Sequence, residues 1–300
     1  MRFNMLLVYV FAVALLFAGC GKPPVPEVQA DSSGIATKTE LSFTTEFYDA
    51  VNKWVAFRGD DSVHLAGFIY IDRQAGFTFQ FETEIIVTEK GLKKLSDESK
   101  LADNVIKLRL GRNAADVAVL SDKDIEQLGW PKIPDWLKYY KPENEEESSY
   151  LVGIGSAYNH IGASHKAIEP LMKVYNKDPH FEEVEFELAY AYNALRNFDK
   201  SIEVSKKAIA NDSTDYLLYK ELGFSLINQN KLEEAEKVYL KGIEISKSRE
   251  SQAEMAHNMA YGYFRAKNKP KFDEWAKLTK KYADEDSRFL QNIKHFEENL

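Results

Sequence analysis

Few side chains in this chain have the type and spacing that chemistry needs. Cys20 is the only cysteine in 300 residues, so no disulfide can form within the chain. Of the six histidines, His160 and His165 are the closest pair, but a separation of five puts them on different helical faces and across a turn, a poor arrangement for one metal ion. His64 stands alone in an alternating stretch, where a structural or surface histidine is the default. Gly153-Ile154-Gly155 begins like a dinucleotide fingerprint, but Tyr158 takes the third glycine's place and no strand precedes it. There is no Gly-Lys-Ser/Thr phosphate loop and no serine-nucleophile elbow. No acid, base and nucleophile set emerges, so the expectation is a protein without catalytic residues, metal or cofactor. With 39 basic against 47 acidic residues the formal charge is −8, which leaves no basic footprint for nucleic acid. Acidic tracts such as Glu145–Glu147 read as solvated faces.

The elements that organise the chain are repeats. Gly155, Ala189 and Gly223 stand 34 residues apart, each inside a pattern of large, small, spacer, small, large: Ile154-Gly155-Ser156-Ala157-Tyr158, Leu188-Ala189-Tyr190-Ala191-Tyr192 and Leu222-Gly223-Phe224-Ser225-Leu226. Twelve residues beyond each anchor comes another small side chain, Ala167, Ser201 and Ala235. Two short helices joined by a turn cannot bury their apolar faces alone and must stack on a copy, so this period implies a helical solenoid. Small residues at the anchors let the two helices of a unit approach closely. Asn197, Asn230 and Asn268 fall near the turns between those helices, where Asn tolerates the left-handed conformation that ends a helix. Pro170 is expected to delay or bend the second helix of the first unit. A non-repeating helical bundle is the alternative.

The pattern resembles the tetratricopeptide repeat over residues 148–282, a little under half the chain. The first unit, Ser148–Phe181, carries Gly155, Tyr158, Ala167 and a closing Asp178-Pro179. The second, Glu182–Asp215, carries Ala189, Tyr192, Ser201 and Ala208, with Ser213 where the family usually has proline. The third, from Tyr216, carries Gly223, Leu226, Ala235 and Tyr239. A fourth, around Met259–Tyr263, follows after 37 residues rather than 34, which predicts a longer turn within Ser246–Ser251. Residues 287–300 read as a helix capping the stack. The resemblance implies an inner groove lined by alternating positions of each first helix: Val152, Ser156, Asn159 and His160; Phe186, Tyr190 and Asn193; Lys220, Phe224, Ile227 and Asn228; His257, Tyr261, Phe264 and Arg265. Asn159, Asn193 and Asn228 would offer amides to the backbone of an extended peptide, and the aromatics would offer area to its side chains, or else pack between adjacent units. The lysines with which some members clamp a terminal carboxylate are replaced by Val152 and Phe186.

Residues 1–19 carry one basic residue, Arg2, and an apolar run from Met5 to Ala18, too short to span a bilayer comfortably and built like a secretory signal. Leu16-Phe17-Ala18-Gly19-Cys20 resembles a bacterial lipoprotein signal, which implies acylation of Cys20 as the first mature residue. Gly21 in place of aspartate implies the outer membrane where two membranes exist. A plain signal peptide or an uncleaved anchor is the alternative. Residues 20–38, rich in Pro, Ser and small side chains, read as a tether reaching on the order of 25 Å.

Residues 39–141 read as a separate α+β module. Phe47, Ala50, Val51, Trp54 and Val55 have helical spacing within Leu41–Phe57. From Val63 the period becomes two, and Asp72–Gly76 is a turn signal between the arms of a hairpin with one aromatic face. Continuation through Ile85–Val87, a short helix near Gly91–Asp97, strands at Val105–Leu110 and Val117–Leu120, and a helix capped by Ser121 and Asp124 complete it. Trp130–Trp136 closes the module before an acidic linker at 142–147. The overall expectation is a mixed helix and antiparallel-sheet module followed by an all-α solenoid at 148–286 and a capping helix. The function expected is a lipid-anchored, non-enzymatic adaptor of the bacterial envelope that binds a protein or peptide. A ligand-binding or catalytic module at 39–141, with a cleft lined by Trp54, Phe68 and Tyr70, is the second reading, and a purely structural spacer the third.

Overall fold

A computed structural model describes residues 40–60, 62–95 and 105–300. The expected signal, lipidation site and tether, residues 1–38, lie outside the described residues. An antiparallel sheet comes first: β1 (Lys53–Phe57), β2 (Val63–Asp72), β3 (Gly76–Thr88), β4 (Gly91–Lys94), β5 (Lys107–Arg109) and β6 (Val117–Val119). The order is β4-β3-β2-β1-β6, with β5 pairing the first half of β3. Register decides the faces. Ile69 opposes Phe79 and Ile71 opposes Phe77, while Phe68 opposes Gln80 and Tyr70 opposes Thr78. Directly opposed residues share a face, so the hairpin carries aromatic side chains on both faces rather than one. At the register shift between Ala66 and Gly67, a side chain on Gly67 would meet the Gln80 carbonyl oxygen at 2.1 Å, so only glycine fits.

Two expected helices are absent among the described residues. Within Leu41–Phe57 the chain forms a single 3₁₀ turn, Phe47–Asp49, and then β1. Trp54 and Ala56 point into one apolar layer and Val55 into the other, so a strand buried on both faces lost its period of two and imitated helical spacing. Near Gly91 the chain turns back as β4, with Leu92 opposite Val87. The strands expected within Val105–Leu110 and Val117–Leu120 form as β5 and β6, α1 (Asp122–Gln127) is capped reciprocally by Ser121 and Asp124, and Trp130 to Trp136 folds over the first layer. There Trp54 stacks on Trp130 at 4.4 Å and donates from its indole N–H to the Pro131 carbonyl oxygen at 2.8 Å.

The helical half runs α2 (Ser148–Ile161), α3 (Ser164–Lys177), α4 (Val184–Ala194), α5 (Phe198–Asn211), α6 (Tyr216–Asn228), α7 (Leu232–Ile245), α8 (Arg249–Arg265), α9 (Lys269–Tyr282) and α10 (Arg288–Glu298). The small anchors act as the spacing implied. A methyl on Gly155 would sit 2.4 Å from Leu171 Cγ of the second helix, and one on Gly223 would sit 2.1 Å from the Tyr239 ring. Ala167, Ser201 and Ala235 are fully buried beside them. Left-handed backbone recurs at Gly162, Arg196, Asn230 and Lys267, with φ between 54° and 87°. Of the three asparagines expected there, only Asn230 takes that conformation. Asn197 and Asn268 stand one residue later and cap α5 and α9 by accepting from the backbone N–H of Lys200 and Lys271.

The longer fourth unit is not accommodated in a longer turn. Only Ser246–Ser248 separate α7 from α8, and the added residues extend α8 to 17 residues against 13 in α6. Nor does Pro170 delay its helix, since α3 starts at Ser164 and runs through it. The last helix, α10, stacks as a further first helix would, with Phe289 and Ile293 buried and Gln291, Lys294 and Glu298 outward. Sheet and solenoid share a core. The layer of Val55, Ile69, Phe77 and Phe79 also contains Ile161 and Ala163, with Ile154, Ala157 and Tyr158 of α2 packed on it. The sheet therefore closes the leading end of the repeat stack, covering an apolar helix face that a solenoid must otherwise cap.

Candidate partner-binding site

The residues expected to line the groove divide into those that join neighbouring units and those that reach the surface. Asn159 donates from its amide to the Glu187 carbonyl oxygen at 3.0 Å and to the Glu187 carboxylate at 2.7 Å. One unit later Asn193 makes the same pair of bonds to Glu221, at 3.0 and 2.9 Å. Both side chains are buried and their amide nitrogens engaged between stacked first helices, so they are ties within the solenoid and are not presented to a peptide backbone. The recurrence ends there. Ile227 holds the next equivalent place in the hydrophobic core, and Asn228, one residue on, donates to the Phe224 carbonyl oxygen of its own helix.

Glu187 and Glu221 were not foreseen. The available signal was the pairing Asn159/Glu187 and Asn193/Glu221, 28 residues apart in both cases. Burial raises both carboxyls. Glu221 is pushed from 4.5 up to about 7, against the opposing pull of the Lys220 ammonium and the Asn193 amide. Ser225 extends the second tie by donating to Asn193 Oδ1 at 2.5 Å.

Val152 packs with Leu171 and Leu188, and Phe186 with Ala208 and Leu218, so both belong to the interior. Lys220 is buried with its ammonium 3.3 Å from Glu254. His257 lies beneath α10 against Phe289 and Phe296, and burial pushes it from 6.5 down to about 4. Phe264 stacks on Phe296 at 4.6 Å. These residues take the packing role open to the groove aromatics from the start.

What reaches solvent is a narrower strip. Ser156, His160, Phe224 and Asn228 are half-buried, and Tyr261 and Arg265 are exposed. Phe224 and Tyr261 occupy the same position in the third and fourth units, where Tyr190 stands in the second. Two arginines join them. Arg112, from the loop between β5 and β6, donates from Nε to the His160 carbonyl oxygen and from Nη2 to the Tyr190 hydroxyl, both at 3.1 Å. Arg196, at the left-handed turn after α4, lies 5.7 Å from the Phe198 ring, which neighbours Phe224. Arg265 lies 5.8 Å from the Tyr261 ring. Burial and the charges of Arg109 and Arg112 lower the pKa of His160. Among the described residues no group of three or more His, Cys, Asp or Glu is placed to hold a metal ion, and no helix is long and apolar enough to cross a membrane.

A stack of two-helix units set on small anchors, with a strip of side chains along its first helices, defines a tetratricopeptide-like repeat protein. Residues 186–215 and 218–249 match the tetratricopeptide repeat family. Over 60 residues the chain is 40% identical to the peroxisomal targeting signal 1 receptor of Dictyostelium discoideum, a match covering 20% of this chain and 9% of the receptor. The match thus spans less than a tenth of that receptor's length. Similar solved structures include TTC0263, a thermophilic TPR protein of Thermus thermophilus, 14% identical over 51% of this chain and 83% of that one, with a TM-score of 0.45. They also include MamA from Desulfovibrio magneticus, 13% identical over 55% of this chain and 83% of that one, with a TM-score of 0.41.

Proposed function

We propose that this chain is a non-enzymatic scaffold that binds a protein or peptide partner along the inner strip of its repeats. In this reading it is held at the bacterial envelope by a lipid on Cys20, at the periplasmic face of the outer membrane where there are two membranes, and assists assembly of an envelope complex. The observation that carries the binding role is the recurrence of Phe224 and Tyr261 at one position of successive first helices, both reaching solvent, flanked by Asn228 and Arg265. The relative in Dictyostelium is named as the receptor of a targeting signal, which is in keeping with a peptide ligand. The alternative of a ligand site within residues 39–141 finds no support in the aromatic cluster. Trp54, Phe68 and Tyr70 are 3%, 0% and 0% exposed and fill a core with Trp130, Trp136 and Tyr140 where a cleft would have to be.

The test compares the native chain with a Phe224→Ala, Asn228→Ala, Tyr261→Ala variant as bait in detergent-solubilised envelope, after circular dichroism shows equal helicity. Loss of a captured partner in the variant is expected, and identical capture by both would reject the strip as the working surface. Anchoring is tested separately with Cys20→Ser, which is expected to move the protein from the membrane to the soluble fraction; unchanged fractionation would reject the lipid.

A further inference from the structure

The strip has a charge at odds with the chain that carries it. In a protein of net charge −8, Arg109, Arg112, Arg196 and Arg265 make no ion pair within 4.0 Å among the described residues, whereas lysines do so repeatedly. The first-helix carboxylates Glu187 and Glu221 are turned into the solenoid and tied to Asn159 and Asn193. Two of these arginines are also placed by the period. Arg112 lies over the turn at Gly162, 3.7 Å from where a side chain there would begin, and Arg196 occupies the equivalent turn of the second unit. At that turn the third unit offers Asn230 and the fourth Lys267, with Asn228 and Arg265 two residues before them at the ends of α6 and α8. The edge therefore reads cation, cation, amide, cation over four units.

We propose that this edge receives an extended acidic segment of a partner, with its carboxylates on Arg112, Arg196 and Arg265 and its apolar side chains over Phe224 and Tyr261. The proposal rests on the scaffold reading and names the class of its ligand. Arginine suits the task because its planar fork meets a carboxylate in two parallel hydrogen bonds. Stacked helices lie about 8–10 Å apart, and an extended chain advances about 3.3 Å per residue, so one unit corresponds to roughly three residues of ligand. Carboxylates at i, i+3 and i+9 match Arg112, Arg196 and Arg265 beside Lys267, with the Asn230 amide opposite i+6. A polyphosphate backbone is a poorer occupant, because the 47 acidic residues elsewhere on the chain repel a long polyanion.

The probe is a fluorescein-labelled peptide of about a dozen residues with Glu at every third position and Leu and Ser between, measured by fluorescence anisotropy against the full chain. Its controls are the same peptide with Gln for Glu, the same with Lys for Glu, and oligo-dT. The Glu peptide is expected to bind at least about 10-fold more tightly than the Gln peptide at about 50 mM salt, with the advantage shrinking at about 300 mM. Arg196→Gln with Arg265→Gln, which leaves the Arg112 contacts intact, should bring the Glu peptide to the level of the Gln peptide without altering the thermal midpoint. Equal binding of Glu and Gln peptides, both weakened by Phe224→Ala, would overturn the acidic assignment and leave the scaffold reading standing. Oligo-dT binding as tight as the Glu peptide, with the same arginine dependence, would overturn it in favour of nucleic acid. Absence of any peptide binding would overturn it too, and the capture experiment then decides the scaffold reading on its own.

Discussion

Gly153 and Gly155 lie two residues apart in one helix, and replacing each by alanine should change stability with opposite signs. A methyl on Gly153 meets nothing within 4 Å, so Gly153→Ala gains only the helix preference of alanine, about 0.5–1 kcal/mol. A methyl on Gly155 would stand 2.4 and 2.6 Å from Leu171 Cγ and Cδ2, and Leu171 is itself fully buried, so it has nowhere to retreat. Overpacking of that kind costs about 1–3 kcal/mol, and after the same helix gain Gly155→Ala should remain destabilised by roughly 1–2 kcal/mol. For a chain of this size each kcal/mol moves the midpoint by about 2–4 °C. Thermal unfolding followed at 222 nm should show Gly153→Ala rising by a few degrees and Gly155→Ala falling by a few. A rise for both would refute the claim that the small anchors are there to let the two helices of a unit touch.

Further expectations follow from the buried polar groups. Glu221 keeps its proton in the folded chain up to about pH 7, so its contribution is full below 4.5 and is lost as pH rises to 7. His257, lowered to about 4, contributes above 6.5 and loses that contribution as pH falls toward 4. Urea unfolding at pH 5 and 8 should therefore show Glu221→Gln gaining on the native chain by on the order of 3 kcal/mol at the higher pH. A pH-independent difference would contradict the burial argument. Asn193→Ala removes the amide that ties the buried Glu221 and should cost about 2–4 kcal/mol. Asn228→Ala loses only a bond within its own helix and should cost less than about 1 kcal/mol in the same measurement; similar losses would refute the distinction between tie and surface amide. Gly67→Ala, which drives a methyl onto the Gln80 carbonyl oxygen, should disrupt the β2–β3 pairing and lower the yield of folded protein in near-ultraviolet circular dichroism, with a native spectrum counting against that reading.

The solenoid was legible because close approach of two helices demands small side chains at fixed intervals, and a side chain's size is written directly in the sequence. The hairpin was legible for a similar local reason, with alternation on both arms and Asp72–Gly76 between them. What stayed hidden depended on partners far along the chain. Trp54, Val55 and Ala56 are apolar in succession because layers lie on both sides of β1, and nothing within five residues reveals that. Asn159 and Asn193 looked like a repeated ligand-binding amide until their acceptors, 28 residues on, were seen to occupy them. Arg112 belongs to the sheet module by sequence and to the inner strip by position, so neither half alone announces it.

The central claim is that partners are held on the inner strip, and site-specific photo-crosslinking in the living cell tests it most directly. A benzophenone amino acid in place of Phe224 or Tyr261 is expected to give discrete adducts with a partner. The same probe in place of Lys206 or Lys237, on the second helices, is expected to give none. Adducts from the second-helix positions alone would contradict the account and move the working surface to the outside of the solenoid.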